Sequence, residues 1–230
     1  MAIEAVIFDW GGTLSLWRTV DQLEGWRRYA AEVTEDVESL AAALHEADTA
    51  AWARVRDTSA AFRLSEVVAE AGAPHEERGW QAFRDFWEHA TWTDPQVKPM
   101  LTELREAGLR TGVLSSTGWP ARWHEEIFER DGVADLFDAC VWSSDLEWTK
   151  PHPDAFGAAL EAVGVTDPAT AVYVGDRPYD DISGAKGVGM HAVLVPHSDI
   201  PAAQRVPVDV HPDAVINELA ELPGVIQKLG

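Results

Sequence analysis

The stretch AVIFDWGGTL, residues 5–14, decides how the rest of the chain reads. An unbroken apolar run ends on Asp9, and two glycines and a threonine follow within four residues. A short β-branched run bounded by turn residues reads as a buried strand of a mostly parallel sheet. The same texture returns at LRTGVLSST (109–117), ACVWSSD (139–145), AVYVGD (171–176) and MHAVLVP (190–196). Between these runs lie segments of helical spacing: VKPMLTELREAGL before the second, WPARWHEEIFERDG after it and PDAFGAALEAVGV before the fourth. Strand and helix in alternation predict βαβ crossovers and a doubly wound, Rossmann-like α/β sheet.

Residues 15–93 break that alternation. EGWRRYAAEV, DVESLAAALHEADTAAWARVR, LSEVVAEAG and ERGWQAFRDFWEHA carry apolar residues at helical spacing, with no convincing strand among them. The expected organisation is an α/β core domain of residues 1–14 and 94–230, interrupted by an all-helical cap domain of residues 15–93. Ligands of open α/β sheets bind beyond the carboxyl ends of the strands, so an insertion after the first strand would cover the site as a lid.

Composition narrows the partners. With 39 acidic against 18 basic residues, the formal charge of −21 repels nucleic-acid backbones and anionic lipid. A small anionic substrate would need locally placed positive charge. No apolar run approaches the roughly 18 residues that cross a bilayer. MAIEAVIFDW lacks a basic leader, so a soluble cytoplasmic protein is expected, as a monomer or a homodimer. Cys140, the only cysteine, has no disulfide partner within the chain and reads as a small core hydrophobe.

The strand ends carry the chemistry. Asp9 closes the first run, Ser115 and Ser116 the second and Asp176 the fourth, and Lys150 stands in the loop EWTKPHPDAF after the third. Each type is common where strands turn, but here they share one edge of one sheet. A carboxylate pair suits a hard divalent cation, a hydroxyl and a lysine suit phosphate oxygens, and the first aspartate could attack phosphorus.

At these residues the chain resembles the haloacid dehalogenase superfamily, in the branch with a helical C1 cap. IFDWGGTL is similar to the first motif, VLSS to the second, the lysine of TKPHPDAF to the third and VGDRPYDDISGAKGVGM to the fourth. The resemblance implies a hydrolase of a small phosphorylated metabolite that works through an aspartyl-phosphate, with Mg2+ as cofactor. It implies that Asp9 is the nucleophile, that Ser115 and Lys150 steady the transferring group, and that Asp176 is a metal ligand. Asp181 would hold a metal-bound water or orient Lys150, and the main-chain carbonyl of Gly11 would touch the metal. Thr13 would tighten the turn and offer its hydroxyl to phosphate, as would Ser116. Trp10 and Trp17 flank the first-motif loop and are candidates for touching substrate. Asp180 reads as a helix N-terminal acid.

Gly11 departs from the pattern. Phosphatases of the family carry there a second aspartate, which protonates the leaving oxygen and then activates water. General acid catalysis contributes typically about 10² to 10⁴ in rate, so its loss predicts a weakened or altered hydrolase. Phosphonoacetaldehyde hydrolases have the similar first motif DWAGT but use a cap lysine. The four lysines here, Lys98, Lys150, Lys186 and Lys228, all lie outside the insertion. Hydrolysis of a phosphonate or carbon–halogen bond, or a catalytically weak binding or regulatory role, are the alternatives. In the insertion, Trp80, Phe83 and Trp87 recur at helical spacing and read as packing, while His45 and His89 are candidate surrogate proton donors.

Overall fold

The computed structural model describes residues 2–16, 18–196 and 206–230. In chain order the elements are β1 (Ala5–Phe8), α1 (Gln22–Val33), α2 (Val37–Thr58), α3 (Leu64–Glu70), α4 (Glu77–Trp87) and α5 (Val97–Glu106). There follow β2 (Arg110–Ser115), α6 (Ala121–Asp131), β3 (Ala139–Trp142), α7 (Pro153–Ala162), β4 (Ala171–Gly175), α8 (Gly184–Gly187), β5 (His191–Leu194), β6 (Ala214–Val215) and α9 (Leu222–Leu229).

The strands form one parallel sheet in the order β3-β2-β1-β4-β5-β6. Side chains alternate across β1: Val6 and Phe8 join Leu101, Leu104 and Phe128 on one face, and Ala5 and Ile7 join Phe156 and Leu160 on the other. Helices therefore cover both faces, which is why the strands read as continuous apolar runs. Phe8 pairs with Val113 of β2 and with Val174 of β4, so Asp9, one residue on, emerges between the two neighbouring strand ends. Chain order reverses there, β2 lying to one side of β1 and β4 to the other. Such a switch point is where doubly wound sheets open a crevice. The five strand runs read from the sequence are β1 to β5; β6 and α9 are additions.

Helices α1 to α4 fall between β1 and α5 and share their own apolar cluster, with Trp26, Tyr29, Leu44, Trp80 and Phe83 buried together. Local chemistry sets their ends. The Asp21 side chain accepts from Glu24 N–H at the start of α1, and α2 stops at Ser59 in the left-handed region, φ 58°. The helices meet the α/β layer along an aromatic seam, with Trp80 5.5 Å from Trp123 and Trp87 5.7 Å from Trp119 between ring centroids. A second junction is made of main chain: Ala61 N–H donates to Glu147 O at 2.9 Å, Thr149 N–H to Ser59 O at 2.8 Å and Leu64 N–H to Gly118 O at 2.9 Å. Among the described residues no helix is long and apolar enough to cross a membrane.

Candidate active site

Asp9 begins where β1 stops, its N–H still bonded to Val174 O at 2.9 Å. The chain then turns back on itself: the N–H groups of Thr13, Leu14 and Ser15 all point to Trp10 O, at 3.3, 2.9 and 2.9 Å. The two glycines of this turn are not equivalent. Gly12 has φ +86°, and a Cβ built there would lie 2.6 Å from Asp176 Oδ2, so only glycine lets the turn pass that carboxylate. A Cβ on Gly11 would meet nothing within 4 Å. Backbone geometry demands glycine at position 12 and does not demand it at position 11.

Four charged side chains converge beside the turn. Lys150 Nζ lies 2.8 Å from Asp9 Oδ1 and 2.7 Å from Asp181 Oδ1, and it donates to Tyr173 Oη at 2.9 Å. Tyr173 in turn donates to Leu114 O at 2.7 Å. Ser115 Oγ donates to Asp9 Oδ1 at 2.8 Å, and Arg177 N–H donates to Asp181 Oδ2 at 2.8 Å. Asp9, Asp176 and Asp181 each bring an oxygen within 4.8 Å of the others, and all three are buried. Asp181 sits in the widened helical turn Pro178–Ser183 that follows β4.

Three carboxylates thus surround one ammonium. Burial alone would lower the Lys150 pKa, but Asp181 and Asp9 together hold it well above the usual lysine range, so it remains a cation. Burial pushes the Asp181 carboxyl up to about 7; Lys150 opposes this, and repulsion from Asp9 and Asp176 adds to it. An excess of buried negative charge, presented as hard oxygen donors, is what a small divalent cation neutralises. The donor set therefore fits Mg2+, with oxygens of Asp9, Asp176 and Asp181 gathered within 4.8 Å of one another.

The remaining sequence-read residues fall at different distances from this cluster. Thr13 is buried in the turn with a hydroxyl that has no hydrogen-bond partner among the described residues. Ser116 follows Ser115 and accepts from Thr149 Oγ1 at 2.5 Å. Trp10 packs its ring edge-on against His124, 4.5 Å away, and against Trp119 at 6.1 Å. Trp17 lies outside the described residues. Asp180 is partly buried, and burial raises its pKa. Of the two histidines read in the insertion, His89 bonds Phe86 O at 2.8 Å and His45 sits in α2. Trp80, Phe83 and Trp87 pack within the aromatic seam. Burial raises the Cys140 thiol to about 12, so it is no nucleophile at neutral pH.

Tyr173, Thr117 and His124 were not read from the sequence. A tyrosine in the otherwise apolar run AVYVGD was the available signal, since a buried hydroxyl requires a partner. Two cavities, of about 490 and 260 Å³, lie along the seam between α4 and the α/β layer, lined by residues such as Arg84, Trp119 and Trp123 or His75, Trp80 and Gly118. Neither is lined by the carboxylates, and Asp9 is only 5% exposed.

Comparison with known proteins follows the same lines. Residues 3–189 match the sequence profile of haloacid dehalogenase-like hydrolases. The glyceraldehyde 3-phosphate phosphatase of Methanopyrus kandleri is 35% identical over 135 residues, 59% of this chain and 57% of that one. The chain spans about half the length of the curated relatives it matches. Among solved structures, a 2-haloacid dehalogenase from Pseudomonas syringae superposes with a TM-score of 0.70 at 27% identity, covering 99% of this chain and 100% of that one. A phosphatase from Thermococcus onnurineus shares the fold, with a TM-score of 0.69 at 22% identity over 97% of this chain and 98% of that one.

Proposed function

Because the chain belongs to the haloacid dehalogenase-like hydrolases, we propose that it hydrolyses small phosphorylated metabolites, with the Asp9 carboxylate as the attacking group. The observation that carries this reading is the meeting of Ser115 Oγ and Lys150 Nζ on Asp9 Oδ1, each at 2.8 Å. Two donors focused on the nucleophile are placed to be taken over by phosphoryl oxygens as these arrive. Thr13 and Ser116 offer further hydroxyls, and Asp181 orients Lys150. Asp9, Asp176 and the main-chain carbonyl of Gly11 would hold Mg2+, which when bound supplies positive charge to the transferring group. The insertion serves as a cap: with Asp9 this deeply buried, substrate reaches it only through a movement of the helices above.

The step divides between attack and departure. Asp9 forms a bond to phosphorus as the bond to the leaving oxygen breaks, and the leaving oxygen takes that electron pair. Position 11 has no side chain to protonate it. Acyl and aryl phosphates, whose leaving groups depart as weakly basic anions, should therefore be better substrates than alkyl phosphates such as glyceraldehyde 3-phosphate. Water then attacks phosphorus and returns Asp9 as a carboxylate, with its proton passing to the released phosphate.

The test is phosphate release from acetyl phosphate, p-nitrophenyl phosphate and glyceraldehyde 3-phosphate, with Mg2+ and with a chelator. Release that requires Mg2+ and falls along that series supports the reading; no release from any of them refutes it. Binding of phosphate without turnover would instead indicate a regulatory protein. Carbon–halogen hydrolysis is a second reading, favoured by 27% identity to the Pseudomonas syringae dehalogenase over nearly the whole chain. Chloride release from 2-chloropropionate without metal would establish it.

A further inference from the structure

His124 is a buried polar residue that the proposed reaction leaves without a role. It projects from α6 with no exposed surface, and its ring stacks on Trp142 at 4.0 Å and 11°. Trp10, the residue after the nucleophile, meets the same ring edge-on at 4.5 Å. Its Nε2 lies 3.1 Å from Thr117 Oγ1.

The Thr117 hydroxyl is held from two sides, since Trp119 N–H also donates to Thr117 Oγ1, at 3.0 Å. Burial lowers the His124 pKa to about 3, so the imidazole is neutral and shares one hydrogen bond with that hydroxyl through Nε2. Thr117 is held on its main chain as well: its N–H donates to Ser143 Oγ at 2.8 Å, and Ser143 Oγ donates back to Thr117 O at 3.0 Å. Thr117 stands two residues beyond Ser115 and one beyond Ser116. Trp142 is the register partner of Ser115 across β2 and β3. One imidazole therefore touches the turn after β1, the loop after β2 and the end of β3.

We propose that His124 is a positioning residue that sets the loop bearing Ser115 and Ser116 against the nucleophile turn, through its bond to Thr117 and its ring contacts with Trp10 and Trp142. It acts on the phosphoryl group only through those hydroxyls, and its importance for turnover rests on the phosphohydrolase reading. Its effect on the loop does not.

His124→Phe keeps an aromatic ring and removes the hydrogen-bonding nitrogen. Thr117→Val removes the hydroxyl from the other side, and His124→Gln restores a hydrogen-bonding group without the ring. Two readouts separate the claims: inorganic phosphate binding in the presence of Mg2+, and hydrogen exchange in the ligand-free protein at the amide of residue 117, whose acceptor, Ser143 Oγ, every variant keeps. His124→Phe and Thr117→Val should each weaken phosphate binding and speed that exchange by about tenfold, the effect of one hydrogen bond of ordinary strength. The double variant should be no worse than either single one, and His124→Gln should recover most of the loss. Wild-type protein that binds no phosphate would defeat the phosphohydrolase reading, and the exchange measurement would still decide the role of His124. Unchanged exchange in His124→Phe, or additive losses in the double variant, would overturn the proposal. If His124→Phe does not fold, Thr117→Val paired with His124→Gln carries the same decision, unchanged exchange in Thr117→Val again overturning it.

Discussion

At the carboxyl edge of the sheet, the buried Asp181 carboxylate has an ammonium at 2.7 Å on one oxygen and a main-chain N–H at 2.8 Å on the other. Inside the helical insertion, the buried Asp48 is met by the Trp26 indole N–H at 3.2 Å, and among the described residues its Oδ1 has no partner within hydrogen-bonding geometry. Both carboxyls have raised pKa values, with burial as the leading cause. The arrangements around them differ. Asp181 belongs to a set in which each donor has a matched acceptor and the surplus is of one sign, negative, at one point. Asp48 sits among tryptophans, tyrosine and aliphatic residues, with the Trp26 and Trp52 side chains and His45 acting on it. A concentrated, directed surplus is what a reaction can use, whereas an isolated buried charge only costs stability.

The most severe way to break the sheet-edge arrangement is Asp9→Asn. Removing a nucleophile costs on the order of 10⁶ in turnover in well-studied hydrolases, so phosphate release should fall to background. Stability should move the other way in metal-free protein, because one of three mutually repelling carboxylates is gone. A calorimetric scan beside the rate assay checks both. Turnover that survives would remove Asp9 from the role of nucleophile.

Gly11→Asp sharpens the distinction between the two glycines. The new side chain meets open space, so the protein should fold with little change in stability. For alkyl phosphates a restored acid should raise the rate by up to about 10² to 10⁴, with little effect on aryl ones. Gly12→Ala is the contrast. Its Cβ would strike Asp176 in a backbone region that side chains rarely adopt, which should destabilise the fold by about 1–3 kcal/mol. A well-folded Gly11→Asp that changes no rate would show that another group already delivers the proton.

Lys150→Met asks how much the edge depends on its one cation. Breaking a buried ion pair from one side costs about 3–5 kcal/mol, and here two carboxylates lose the same partner. The denaturation midpoint in chelator should fall accordingly, and Mg2+ should restore part of the loss by neutralising the surplus. A loss below about 1 kcal/mol would mean that water already enters the cluster.

Much of this arrangement was legible in the sequence, and the gaps have physical causes. The runs that became β1 to β5 are apolar because helices cover both faces of the sheet, so they could be recognised without periodicity. Asp9, Ser115, Lys150 and Asp176 could be grouped because parallel strands deliver their ends to one edge, and Asp181 was added by the resemblance of the fourth motif. β6 has two residues and no pattern to read, and α9 opens with Leu222, Pro223 and Gly224, residues that suggest a loop. Tyr173 and His124 were missed for a different reason. Each looks like an ordinary member of a strand or helix, and its partners, Lys150 for one and Thr117 and Trp10 for the other, are brought to it only by the fold. The Gly11 and Gly12 positions look alike in the sequence, and only the fold separates them, through the place of Asp176 and the positive φ of Gly12.

The smallest effect belongs to the insertion, and it fixes the sign of the comparison. Burial raises the Asp48 carboxyl above its ordinary value of 3.8, against the Trp26 bond, the neighbouring His45 and the Trp52 side chain. A group whose pKa is raised on folding contributes its stability in full below the unfolded value, and that contribution is lost as pH rises through the folded value. At neutral pH Asp48 is therefore a liability, one that Asp48→Asn removes while keeping an oxygen for the Trp26 indole. The new amide N–H lacks an acceptor at the Oδ1 position, which limits the gain. The melting temperature at pH 7 should rise by about 2–4 °C, the equivalent of roughly 1 kcal/mol in a chain of this size. The difference between variant and wild type should shrink as pH falls below 3.8, the ordinary carboxyl value, where the wild-type carboxyl carries its proton in both states. A loss of stability at pH 7 that disappears in acid would give the opposite sign. It would mean that the Asp48 carboxylate is compensated by its neighbours, unlike Asp181, whose carboxyl burial pushes up to about 7.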